Sequence, residues 1–203
     1  MWQIGRLAVF IVLLSYFSPA EQPYEKLSTE EYAVMGAMLD GFRSSGHALH
    51  PIVADYTSTL NCESICNGMK IGRCNGLTGN DETPKERLAI VKRDLPNLDQ
   101  TIISDFESKN RQCSKISEKI PSRSAFFLFG NDHTEKLPSG WEHADFLYFS
   151  RVGFNSQHTQ ALVNVSFYSG TSAADTGGKY FLLVNENGKW VAKGSSIVWQ
   201  ASR

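Results

Sequence analysis

No nucleophile elbow, H-E-x-x-H helix, phosphate loop or dinucleotide fingerprint occurs in this sequence. Each of those motifs sets a reacting or phosphate-binding group at a fixed offset from a turn or helix start. Without them, the common routes to acyl transfer, metalloproteolysis and nucleotide chemistry have no local signature here. A long basic run is absent too, and the formal net charge is −1. That balance argues against nucleic acid as a partner and against an electrostatic membrane binder. Beyond the first twenty residues nothing is long and apolar enough to span a bilayer. There is no internal repeat, and no linker divides the chain.

Cysteine is scarce: Cys62, Cys66, Cys74 and Cys113. Their C-x3-C-x7-C-x38-C spacing lacks the paired C-x2-C hooks of common zinc modules, so no metal is expected. No other cofactor is implied either. An even count in an exported chain favours two disulfides, with three pairings open; free thiols are the alternative. Three of the four crowd a glycine- and asparagine-rich loop near 58–83, where bridging would restrain a long flexible segment.

Export is read from the N-terminus, MWQIGRLAVFIVLLSYFSPA. Arg6 supplies a positive start, Leu7 to Phe17 an apolar run of about eleven residues, and Ser18-Pro19-Ala20 a small-residue cleavage site. A run of that length falls short of the roughly twenty needed to cross a membrane. The expectation is a signal peptide over 1–20 and a single domain over 21–203, periplasmic or secreted. An apolar first helix of the domain is the competing reading.

Helices come first. Ser28 and Glu31 form a capping box, with Leu27 and Tyr32 as a hydrophobic staple. Tyr32, Met35, Leu39 and Phe42 then line one stripe. Thr83, Pro84 and Glu86 mark a second helix start, and Ile102, Ile103, Phe106 and Cys113 suggest the buried side of a third. HPIVADYT reads as a short strand. From SAFFLFG onward the pattern turns to strands, with Asn187-Gly188 as a two-residue hairpin turn and Gly194 as a possible bulge. KYFLLV reads as a strand covered on both faces. The predicted class is α+β: N-terminal helices packed on a mainly antiparallel sheet ending in a C-terminal β-meander.

The candidate site centres on Arg151, set inside the aromatic run FLYFSRVGF. A buried charge needs a partner, and a guanidinium grips a carboxylate through two hydrogen bonds. Asp55 or Asp105 would supply that carboxylate in a helix–sheet clamp. If Arg151 instead faces a cleft, Asp55, Thr57 and Tyr148 join it as ligand contacts for a carboxylate, sulfate or acidic glycan. Strict alternation puts Arg151 with Leu147, Phe149 and Gly153. Among the histidines, His47 and His50 form a weak metal pair, His158 sits in an exposed hairpin, and His133 and His143 lie in a polar stretch. Trp141, Trp190 and Trp199 suit a core better than a sugar surface. The sequon at Asn164 falls inside a predicted strand and is discounted.

The segments EEYAVMGAML, IVADYT, SDFESKN, SRVGFN with TQALVNVSFYSG, and the ending GGKYFLLVNENGKWVAKGSSIVWQAS resemble an uncharacterised family of bacterial exported proteins. Many relatives carry a cysteine-containing segment where this chain has GTSAADTGGKY, so no disulfide or metal of that loop transfers. The resemblance implies export and an α+β fold and names no reaction. Whether the chain is an enzyme stays open. The expected function is a binding or interaction domain for an unknown protein or a small anionic ligand. The alternatives are a hydrolase of envelope or extracellular substrates and an inhibitor-like protein.

Overall fold

In a computed structural model the described residues are 25–44, 51–58, 65–66, 69–70, 83–116, 119–129, 139, 141, 144–168 and 176–200. The expected signal segment, His47, His50, His133, His143, Cys62, Cys74 and most of the cysteine loop lie outside them, as do the side chains of Cys66 and Trp199.

The first helix, α1 (Thr29–Ser44), starts at the capping box. The Ser28 amide donates to Glu31 Oε2 at 2.8 Å, and the Glu31 amide donates to Ser28 Oγ at 3.2 Å. Tyr32, Met35 and Leu39 are buried, with Phe42 packed against the same cluster. A second capping box opens α2 (Pro84–Asp94), with Thr83 as N-cap and Pro84 in the first turn. Asp99 caps α3 (Gln100–Lys109), which buries Ile102, Ile103 and Phe106. Cys113 lies past that helix, so it is no part of its buried stripe; it is buried beside Tyr56 and disulfide-bonded.

The strands are β1 (Ile52–Ala54), β2 (Ile65–Cys66), β3 (Met69–Lys70), β4 (Phe127–Phe129), β5 (Phe146–Phe149), β6 (Gly153–Phe154), β7 (Gln160–Tyr168), β8 (Gly177–Glu186) and β9 (Lys189–Gln200). Among the described residues, β2 and β3 form a separate ribbon, and the rest form one seven-stranded sheet ordered β4-β1-β5-β7-β8-β9, with β6 also on β7. The fold is α+β and mostly antiparallel; β1 alone runs parallel to its neighbours β4 and β5. Asn187 and Gly188 both have positive φ, 54° and 80°, as a type I′ turn requires between β8 and β9. A register shift at Leu182/Leu183, opposite Ala192 and Gly194, places a bulge beside Gly194.

Both faces of the sheet are covered. Leu147, Phe149, Val163, Val165 and Leu183 form one core with α1. Leu162, Tyr180 and Leu182 form another with α2 and α3. Strand β8 therefore contributes to both, which explains its nearly continuous apolar run.

The ladder breaks in one telling place. Phe149 of β5 pairs with Val165, and Gly153 of β6 pairs with Leu162. Three residues, Ser150, Arg151 and Val152, thus face two on β7, Val163 and Asn164. The extra residue is a bulge, and it reverses the alternation downstream. Val152 and Phe154 join Leu147 and Phe149 in the α1 core, while Gly153 turns to α3. A Cβ on Gly153 would stand 2.6 Å from Phe106 Cβ. The space at Gly153 therefore admits helix α3.

Candidate functional site around Arg151

A residue lifted out of a ladder needs other partners for its backbone. Asn110, at the C-terminal cap of α3, supplies both. Its Oδ1 accepts the Arg151 amide at 2.8 Å, and its Nδ2 donates to the Arg151 carbonyl at 3.0 Å. Ser150 closes the other side of the bulge: its hydroxyl accepts from the Asn164 amide at 2.8 Å and donates to the Arg151 carbonyl at 2.9 Å.

The Arg151 side chain then runs to the start of α1. Its Nε donates to Glu31 Oε1 and its Nη2 to Glu31 Oε2, both at 3.1 Å. Glu31 Oε1 also accepts the Val152 amide at 3.3 Å. The capping carboxylate of α1 is thereby the grip on the guanidinium. Both side chains are almost fully enclosed, at 3% and 1% exposure. Nη1 donates to Glu25, whose side chain is 73% exposed. Burial works against the charge on Arg151, but the hydrogen bonds and charge of Glu31, and then of Glu25, hold the guanidinium above its ordinary pKa.

The expected pairing of Arg151 with Asp55 or Asp105 is thus corrected: Glu31 and Glu25 take it. The reason is the bulge, which turns the side chain toward α1 while Asp105 stays on the α3 side. Asp105 instead accepts the Phe154 amide at 2.7 Å and the Lys109 ammonium at 2.8 Å, fastening α3 to β6. Asp55 is buried just past β1, where its carbonyl accepts the Ile116 amide at 2.6 Å and its own amide donates to Phe129. Thr57 is fully buried, and its hydroxyl accepts the Ser114 amide at 2.8 Å. Tyr148 lies edge-on to Tyr168, with ring centroids 5.4 Å apart, and burial raises the pKa of its phenol. None of these contacts is with Arg151, although Ser58, next to Thr57, forms an isolated bridge with Ser150, next to Arg151.

His158 was readable as exposed, but its contacts were not. It has φ 54°, its Nδ1 lies 2.5 Å from Glu30 Oε2, and its ring stacks on Phe154 with centroids 5.1 Å apart. Trp190 lies against the same Phe154, half-buried in the α1 core. Adjacent residues of α1, Glu30 and Glu31, therefore hold opposite ends of the Arg151–His158 segment. Asn164 bonds the Lys179 carbonyl inside the sheet, a poor setting for a glycan. Among the described residues no group of His, Cys, Asp and Glu could hold a metal ion, and no helix is long and apolar enough to cross a membrane.

Comparison with known proteins found no matching family model, no matching curated protein and no matching solved structure.

Proposed function

We propose that this chain is an exported binding or interaction domain, of the bacterial exported type its sequence resembles, with a small anionic ligand or a protein as its partner. The observation that carries this reading is the contrast among the candidate polar groups. Asp105 and Thr57 are engaged in holding backbone amides, an arrangement suited to scaffolding. Arg151 differs, because one of its two carboxylate partners is exposed.

Calorimetric titration of the full chain at constant ionic strength, against acetate, citrate, sulfate and an acidic disaccharide, tests the ligand arm. Saturable binding of at least one is expected; its absence for all four removes the small-ligand arm and leaves the protein arm. Export is tested by fractionation and N-terminal sequencing, with Glu21 expected as the first residue of the processed protein. A product retained in the cytoplasm would remove that part of the reading.

A hydrolase is the second reading. It is favoured by Glu30 on His158 Nδ1, since a carboxylate in that position orients an imidazole for general-base work at the other nitrogen. Turnover of ester or glycoside substrates that disappears in His158→Ala would establish it over binding.

A further inference from the structure

A guanidinium carries five N–H donors in a fixed fork, and carboxylates dock on it in pairs. Glu31 takes the Nε/Nη2 side of Arg151 through two hydrogen bonds. On the outer side, formed by Nη1 and Nη2, Glu25 places a single oxygen on Nη1. Among the described residues no acceptor is assigned to the remaining hydrogens of Nη1 and Nη2.

The two tenants differ in burial and in how they are anchored. Glu31 is enclosed, sits in the first turn of α1 and also accepts the amides of Ser28 and Val152. Glu25 is exposed and lies outside any helix or strand, beyond the buried anchor Leu27. Two carboxylates share one arginine here, and the positive end of α1 helps to offset the surplus negative charge.

We propose that the outer fork of Arg151 is a carboxylate-binding subsite, and that Glu25 occupies it as a built-in competitor. The inference rests on the binding reading above and specifies the site and the ligand class. A ligand carboxylate replaces the one hydrogen bond of Glu25 with two, on Nη1 and Nη2. The Glu31 pair stays intact, so the sheet–helix junction does not have to open. Tethering gives Glu25 a high effective concentration, which sets a threshold that a free carboxylate must exceed.

The test compares the full chain with Glu25→Ala, using sodium acetate against sodium chloride at equal ionic strength. Glu25 is a surface side chain, so the variant keeps the core. In Glu25→Ala, 200 mM acetate is expected to raise the thermal midpoint by about 2–4 °C over chloride. In the unmodified chain the rise is expected to be under about 1 °C. The Arg151 Nε–H and Val152 amide NMR signals of the variant should shift with acetate in the same titration. No acetate-specific change in the variant, or an equal change in both proteins with the Arg151 signal still, would overturn the subsite. If the unmodified chain nevertheless bound another of the anions or a protein partner, the binding reading would stand without it.

Discussion

Glu31 receives two hydrogen bonds from Arg151, a residue 120 positions further along the chain, while capping the helix in which it sits. One carboxylate thus sets the start of α1, neutralises a buried cation and accepts the amide that the bulge frees at Val152. Removing either partner leaves a charge in a place from which water is largely excluded.

Arg151→Ala is therefore expected to destabilise the fold by about 3–5 kcal/mol, measured by urea denaturation. Arg151→Met combined with Glu31→Leu should cost less than Arg151→Ala, because no lone charge is left. It will not be neutral, since the amides of Ser28 and Val152 lose their acceptor. A double variant as damaged as the single one would show that the pair is not the source of the loss.

Gly153→Ala tests the close approach of β6 to α3. The added methyl would meet Phe106 Cβ at 2.6 Å and its Cα and N at 2.8 Å. Backbone atoms cannot rotate away, so overpacking of about 1–3 kcal/mol is expected. Phe106→Ala in the same chain should fail to rescue it. Rescue would place the conflict in the ring instead of the helix backbone.

Asp40 predicts an acid-sensitive contribution. Burial raises the pKa of its carboxyl, but the Ser122 hydroxyl and the amides of Arg123 and Ser124 donate to it, and the net result lies below the ordinary 3.8. A depressed folded-state pKa contributes stability that is present above the unfolded value and is lost as pH falls through the folded one. Between pH 5 and pH 2 the unmodified chain should lose more stability than Asp40→Asn does. Parallel pH profiles from circular dichroism melts would refute the assignment.

The cysteines predict a redox dependence. Cys113 is disulfide-bonded, and four cysteines permit two bridges in all. Peptide mapping of the oxidised protein should find Cys113 joined to Cys62, Cys66 or Cys74. Reduction should lower stability by about 2–4 kcal/mol for each bridge lost. A fully alkylatable unfolded chain without reductant would contradict both statements.

Much of the local structure was legible in the sequence because its causes lie within a few residues. Ser28 and Glu31 are three apart, as are Thr83 and Glu86, and both pairs form capping boxes. The Asn187-Gly188 turn depends on the φ freedom of two residues. The apolar run of β8 announced a strand covered on both faces, and the change from helical to alternating patterns announced the α+β class. Cys113 continues the buried spacing of α3, yet the helix stops at Lys109, where Asn110 takes up the Arg151 backbone.

The sequence alone determined where the three helices and the main strands lie, and that Arg151 would need an anionic partner; it did not announce the β2–β3 ribbon inside the expected loop or the split of β5 from β6. Which carboxylate meets it was decided by the tertiary structure. The ladder slips by one residue between Phe149 and Gly153, and that slip becomes visible only when β5, β6 and β7 are paired. It turns Val152 and Phe154 over, sends the guanidinium toward α1 and leaves Asp105 to hold β6 from the other layer. Alternation is a local rule, whereas a bulge depends on the register between strands, and register is fixed by contacts far apart in the chain.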